Sequence, residues 1–354
     1  MKRLMVFSLF ASAIIATDVC ADIIRLTNNS TQDEYPSTHS GNVVWQGGGY
    51  REDYEIYYWN GTTTIQLTDN TGYDGHPSVY NGSVTWFGWD GNDYEIYYWD
   101  GNITVAVTNN DYDDISPSLY DGTIAWYGGA NALSDMASAD NEIYYWDGNS
   151  IIQVTNNDYA DTRPSLYDGT IAWHSTYRYA DGHADEIYYW NGNAVTQVTD
   201  NNYMDNVPTL YDGTIAWHGW NSQTHHQIYY WDGSNTIQVG AGDSPYLYDG
   251  VIVWDKPDGY DSELHYLDGS TITQLTDNNF PDRNASLCSG TIAWQRKASG
   301  EDDWEIYYAT DVFELISEQP EPEPEPIPEP STILLLTTGL TGIVTYGLRR
   351  KRKA

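Results

Sequence analysis

The phrase Asp-Gly-Thr-Ile-Ala-Trp occurs three times unchanged, at 121–126, 168–173 and 212–217, with four looser copies elsewhere. The Trp that ends each copy stands at 45, 86, 126, 173, 217, 254 and 294, giving spacings of 41, 40, 47, 44, 37 and 40 residues. A period of that size is a repeated supersecondary unit, the signature of a solenoid or a propeller. Each unit holds four β-like segments; in the second they are Pro77–Tyr80, Ser83–Phe87, Glu95–Trp99 and Ile103–Thr108. Tyr, Trp, Ile, Val and Thr fill these segments, with no helical periodicity. Asn81-Gly82 and Asp100-Gly101 link them, and such pairs accept the positive φ angles of a type I′ hairpin turn. Four antiparallel strands in about 40 residues make one propeller blade.

The expected fold is therefore all-β: a seven-bladed β-propeller of four-stranded antiparallel blades over residues 22–316. Ile143 and Tyr145 alternate with Tyr144 and Trp146, so both faces of that strand are apolar and must be covered, as stacked blades do. Six outer "Q(V/L)T"-like segments lie inside the array, at 66–68, 106–108, 153–155, 197–199, 238–240 and 274–276. The seventh is missing after Tyr308. Residues 23–28 resemble the end of a unit, so they are expected to pair with Glu305–Tyr308 and close the ring, removing two sheet edges. Val312–Ile316 is the competing strand.

The leader and tail hold seven of the 15 basic residues but six of the 51 acidic ones, leaving eight basic against 45 acidic residues between them. Such a surface is a poor partner for nucleic acid or anionic lipid. Of two cysteines, Cys20 is expected to leave with the leader, so Cys288 has no disulfide partner.

Residues 1–21 have the plan of a signal peptide: Lys2 and Arg3, an apolar run from Met5 to Ala16, and small residues around Val19-Cys20-Ala21. At the other end, residues 317–330 alternate Pro and Glu, a stiff extended linker. Residues 331–348 are apolar and just long enough to span a bilayer as a transmembrane segment. The basic run Arg349–Lys353 is placed in the cytoplasm by the positive-inside rule.

The pattern "LT…D…PS.YDG.IAW…EIYY.DG…QLT" resembles the TolB-type propeller repeat over about residues 23–310. Trp stands where that repeat usually has Phe, and the count of seven departs from the six blades of TolB itself. Pro328-Glu329-Pro330, the apolar span and the basic end, together 328–353, resemble the PEP-CTERM sorting signal. That resemblance implies export in a Gram-negative bacterium and processing by a membrane exosortase. It also implies residence at the envelope, cell surface or extracellular matrix, often alongside exopolysaccharide or biofilm systems.

Candidate site residues lie where the copies disagree. The loops after each Trp vary most, at 127–141, 174–185 and 218–226, and loops carry function on a rigid scaffold. His76, Arg163 and Arg283 break the sevenfold pattern near the same end, and His174 and His218 each follow a Trp anchor. Asp33, Asp74, Asp114, Asp161, Asp205, Asp243 and Asp282 give one carboxylate per blade in the crossovers. A ring of them at the channel mouth would suit Ca²⁺, which takes oxygen ligands; the alternative is that each caps its own turn. The sequence contains no Gly-x-Ser-x-Gly, His-Glu-x-x-His or P-loop. The leading functional expectation is a non-enzymatic binding protein for a protein or polysaccharide. A glycan lyase or glycosidase, and an acidic structural spacer, are the alternatives.

Overall fold

The computed structural model describes residues 23–49, 52–129, 140–176, 184–223, 225–297 and 303–312. The leader, the Pro/Glu linker, the transmembrane segment, Pro328-Glu329-Pro330 and the basic tail lie outside the described residues. So do residues 313–316 of the competing closing strand.

Seven four-stranded antiparallel sheets form the blades, and no helix occurs among the described residues. In six blades the strands run in sequence order from the channel outward; blade two is Asp74–Tyr80, Ser83–Trp89, Tyr94–Trp99 and Thr104–Ala106. The seventh is composite. Ile23–Arg25 supplies its outermost strand, pairing Ile23 with Ala309 and Arg25 with Tyr307. The Ile306 amide then donates to Thr27 Oγ1 at 2.8 Å, and Leu26 packs among Val43, Trp45, Ala293 and Ile306. The N-terminal strand therefore closes the ring, as the missing seventh outer segment predicts. Val312 is buried and donates its N–H to the Gly290 carbonyl, outside the ladder.

The seven Trp anchors sit in the second strand of each blade and are buried to 2% exposure or less. Each of six indoles stacks on a Tyr of the third strand, as Trp126 does on Tyr144 at 5.8 Å and 16°. Tyr98 meets Trp146 of the next blade, and Tyr145 meets Trp190 of the blade after that. The alternating faces of the third strand thus grip both neighbours.

Two local readings need correction. Asn81-Gly82 does form the expected turn, with φ of 47° and 85°. At Asp100-Gly101 only Gly101 has positive φ, and Asp100 instead accepts the amides of Asn102 and Ile103 through its side chain. That is a four-residue loop fastened by an aspartate cap rather than a two-residue turn. The innermost strand also begins earlier than the sequence suggests. It starts at the crossover Asp or one residue before it, and in six blades passes through the Pro. The ladder breaks at that point, between Gly75 and Ser78 in blade two. The residue before Pro takes a left-handed conformation, making a β-bulge. Pro is tolerated there because this strand is the inner edge of its sheet and its missing N–H faces the channel.

Candidate functional site

The bulge repeats in every blade. Tyr35, His76, Ser116, Arg163, Val207, Ser244 and Asn284 all have φ between 47° and 52°. Side chains other than Gly avoid this region, so each blade accepts some strain to turn one residue inward. All seven line the central cavity, whose volume is about 560 Å³. At this position, which faces the cavity, the seven blades present six residue types. His76 and Arg163 from the sequence reading belong to this ring. Tyr35 stacks on His76 at 4.5 Å between ring centres. Burial, reinforced by the Arg163 charge, pushes His76 down to about 4, so its imidazole is neutral. The ring also contains five residues that sequence reasoning did not single out. The signal was available: each stands at a fixed place before Pro, or before Ala285 in the last blade.

Arg283 lies one position before the ring and outside the cavity lining. Its guanidinium reaches Ser262 Oγ at 3.3 Å and lies 6.0 Å from the Trp304 ring centre. His174 is buried against Thr162 Oγ1 at 3.0 Å. Burial, then the Arg163 and His218 charges, push it down to about 3.

The opposite end of the cavity is an aromatic collar. His39, Tyr80, Tyr120, Tyr167, Tyr211 and Tyr248 follow one another with ring centres 4.1–4.7 Å apart. Each precedes an αL hairpin turn, and Cys288 holds the equivalent place in blade seven. All six aromatic members line the cavity.

The aspartates of the crossovers do not form a ring around an ion in this geometry. Asp33, Asp74, Asp114, Asp161 and Asp282 are buried, and each accepts the indole N–H of its own blade's Trp. These five and Asp205 also accept an Asn side chain four residues earlier, at 2.5–2.7 Å. The backbone N–H of the same Asn donates to a buried Glu in the first half of the third strand of the preceding blade, as Asn70 N–H does to Glu55 Oε1 at 3.0 Å. A Thr closes the set: Thr68 Oγ1 accepts the Ile56 amide at 2.9 Å. This Glu–Thr–Asn–Asp–Trp network explains most of the repeated polar residues as inter-blade fasteners. Among the described residues, none of these six aspartates falls in a group able to hold a metal.

Asp243 is different. It pairs with Asp255, whereas Asp282 of the next blade pairs with Arg296 and Arg283 with Gln295. Asp255 and Gln295 both directly follow the Trp anchor, so Asp243 occupies the position of Arg283, and Gly242 stands where the other blades have Asp. The one-per-blade reading therefore fails here by one residue. Released from the network, Asp243 lines the cavity beside His218, with Nδ1 to Oδ1 at 2.7 Å. His226 Nδ1 is 3.5 Å from its other oxygen. Burial would raise the Asp243 carboxyl, but the His218 hydrogen bond and the charges of both histidines outweigh it and hold it at about 2.

Comparisons agree with this architecture. Residues 326–352 match the PEP-CTERM protein-sorting motif. No curated protein matches the chain. Among solved structures, the chain is similar to the β-propeller domain of the Trilobed protease from Pyrococcus furiosus. The identity is 10%, with 79% of this chain and 93% of that one covered and a TM-score of 0.61. It is also similar to a puromycin-hydrolyzing peptidase from Mycobacterium tuberculosis, at 13% identity, 80% and 51% coverage and TM-score 0.61. An acylaminoacyl peptidase from Pyrococcus horikoshii follows at 11% identity, 82% and 54% coverage and TM-score 0.62. The chain spans about half the length of these two peptidases. At such identities the likeness establishes the fold alone.

The protein is thus a seven-bladed β-propeller that carries a PEP-CTERM sorting motif. The motif marks it for export toward the Gram-negative cell surface and for recognition by exosortase.

Proposed function

We propose that this exported propeller is a non-enzymatic binding protein of the cell surface or extracellular matrix, and that its ligand is a neutral oligosaccharide held at the channel mouth. One observation carries the reading. The inward-turned ring before Pro varies from blade to blade, and all seven of its members line a cavity of about 560 Å³. Repeated residues serve the scaffold; a ring of Tyr, His, Ser, Arg, Val and Asn offers stacking faces and hydrogen-bonding groups to a polyol. The acidic balance of the chain, 51 Asp and Glu against 15 Lys and Arg, favours a neutral glycan over an anionic one. A binding site of this kind is concave with a few convergent polar groups.

A glycan array probed with residues 22–316 tests this. Retention of neutral oligosaccharides is expected. Retention of uronic-acid polymers alone, or of no glycan at all, contradicts it.

A further inference from the structure

Six of the seven blade junctions carry the Glu, Thr, Asn, Asp and Trp of this network, five of them with the indole–Asp bond formed, and the junction between blades five and six has lost it as a unit. Gln227 replaces Glu, Gly240 replaces Thr, the Asn is absent, and Gly242 stands in the Asp position. Only Trp254 persists, and its indole donates to the Ala241 carbonyl at 3.1 Å instead. The third strand of blade five is extended at this point, and His225 and His226, which the sequence reading left in a loop, open it.

What replaces the network is a cluster of ligating atoms. His218, His226 and Asp243 each offer one such atom, all within 4.8 Å of one another. The two histidine rings are 5.4 Å apart and nearly edge to face. Beside them Asp255 is 6% exposed, and its Oδ1 has no partner. Asp243 and Asp255 stand opposite each other in the ladder, so two carboxylates and two imidazoles converge at this junction.

We propose that His218, His226 and Asp243 bind a divalent d-block cation of the Zn²⁺ class at the channel mouth. Imidazole nitrogen suits such ions, whereas Ca²⁺ and Mg²⁺ take oxygen. Two histidines and one carboxylate leave at least one coordination position open. His218 and Asp243 line the cavity, so that position is available to whatever enters the channel. The metal site is independent of the glycan reading above.

The test uses the full chain without an affinity tag, stripped with chelator and titrated with Co²⁺. One equivalent should bind, with visible d–d absorption, and Zn²⁺ should displace it. His226→Ala should lose the bands and weaken binding beyond the roughly 10- to 100-fold that removing an outer-shell partner costs. His225→Ala, one residue away and exposed, should keep both; His226 is itself half-exposed, so neither change threatens folding. Absence of cobalt binding by the unaltered chain overturns the proposal. So does equal binding by His226→Ala, or equal loss in His225→Ala.

Discussion

Removing residues 22–29 should lower the melting temperature of the propeller by about 10 °C or more. The segment contributes a three-residue ladder to the seventh blade, and Leu26 to the core between blades seven and one. Full burial of a Leu is worth about 1.5–3 kcal/mol, and Leu26, partly buried, contributes the lower part of that. Deletion also strips partners from groups that cannot reach water. Glu305, wholly buried, loses the Asn29 amide at 3.1 Å and the Arg25 guanidinium at 2.7 Å. Asp33 loses the Asn29 side chain, and the Ile306 amide loses Thr27 Oγ1. Each orphaned buried group costs about 1–3 kcal/mol. The sum is a large part of the roughly 5–15 kcal/mol that holds a domain together. At about 2–4 °C per kcal/mol, the shift is easily seen by calorimetry. A melting temperature unchanged by the deletion would mean that the ring closes otherwise.

The second large effect is an inverted pH dependence. Burial pushes Asp33 and Asp205 up to about 6, Asp74, Asp114 and Glu186 to about 7, and Asp255 to about 8. In the unfolded chain such groups titrate near 4. Between about pH 4 and 8 the folded state therefore holds more protons, and stability falls as pH rises. Other groups act the opposite way. His76 and His174 are pushed down to about 4 and 3, and burial lowers His265 as well, so the unfolded chain holds more protons there and stability rises toward pH 6.5. Cys288, lowered to about 7, adds a rise above pH 7. The six carboxylates outweigh these groups. Below pH 4, Asp243, held at about 2, begins to lose its own contribution. The expected maximum lies near pH 4–5, with the melting temperature falling steadily to pH 8. General repulsion among surface acids has the same sign, but 0.5 M salt screens it and leaves the buried groups nearly untouched. A decline that vanishes in salt would assign the effect to the surface; a melting temperature that rises from pH 4 to 8 would refute the account.

Much of the architecture was legible because the repeat displays it seven times. Trp anchors, Asp-Gly links and the missing outer segment fix blade number, strand order and closure without any side-chain geometry. The site was harder to see. A bulge leaves no mark on hydrophobic alternation, so the strand seemed to start at Pro77 rather than Asp74, and the residue turned into the channel passed for crossover. His76 and Arg163 stood out by residue type; Ser116 and Val207 could not. The aspartates were conspicuous because they recur, yet recurrence here reflects a fastener between blades. Asp243 looked like the seventh of them because it too stands just before a Pro. Its distance of 11 rather than 12 residues to the Trp anchor, and its register opposite Asp255, show that it sits one position later.

The central claim is that ligand binds where the blades diverge, at the ring before Pro. Titration calorimetry with the best-retained neutral oligosaccharide tests it most directly, comparing Arg163→Ala with Tyr260→Ala. Arg163 is an exposed member of the ring, while Tyr260 is 98% exposed on an outer loop away from the cavity. Losing a hydrogen bond from a charged donor costs about 1.5–3 kcal/mol, or roughly tenfold or more in affinity. Arg163→Ala should weaken binding by that much and Tyr260→Ala should leave it unchanged. Binding unaffected by Arg163→Ala but lost in Tyr260→Ala would place the glycan on the outer surface and contradict the account.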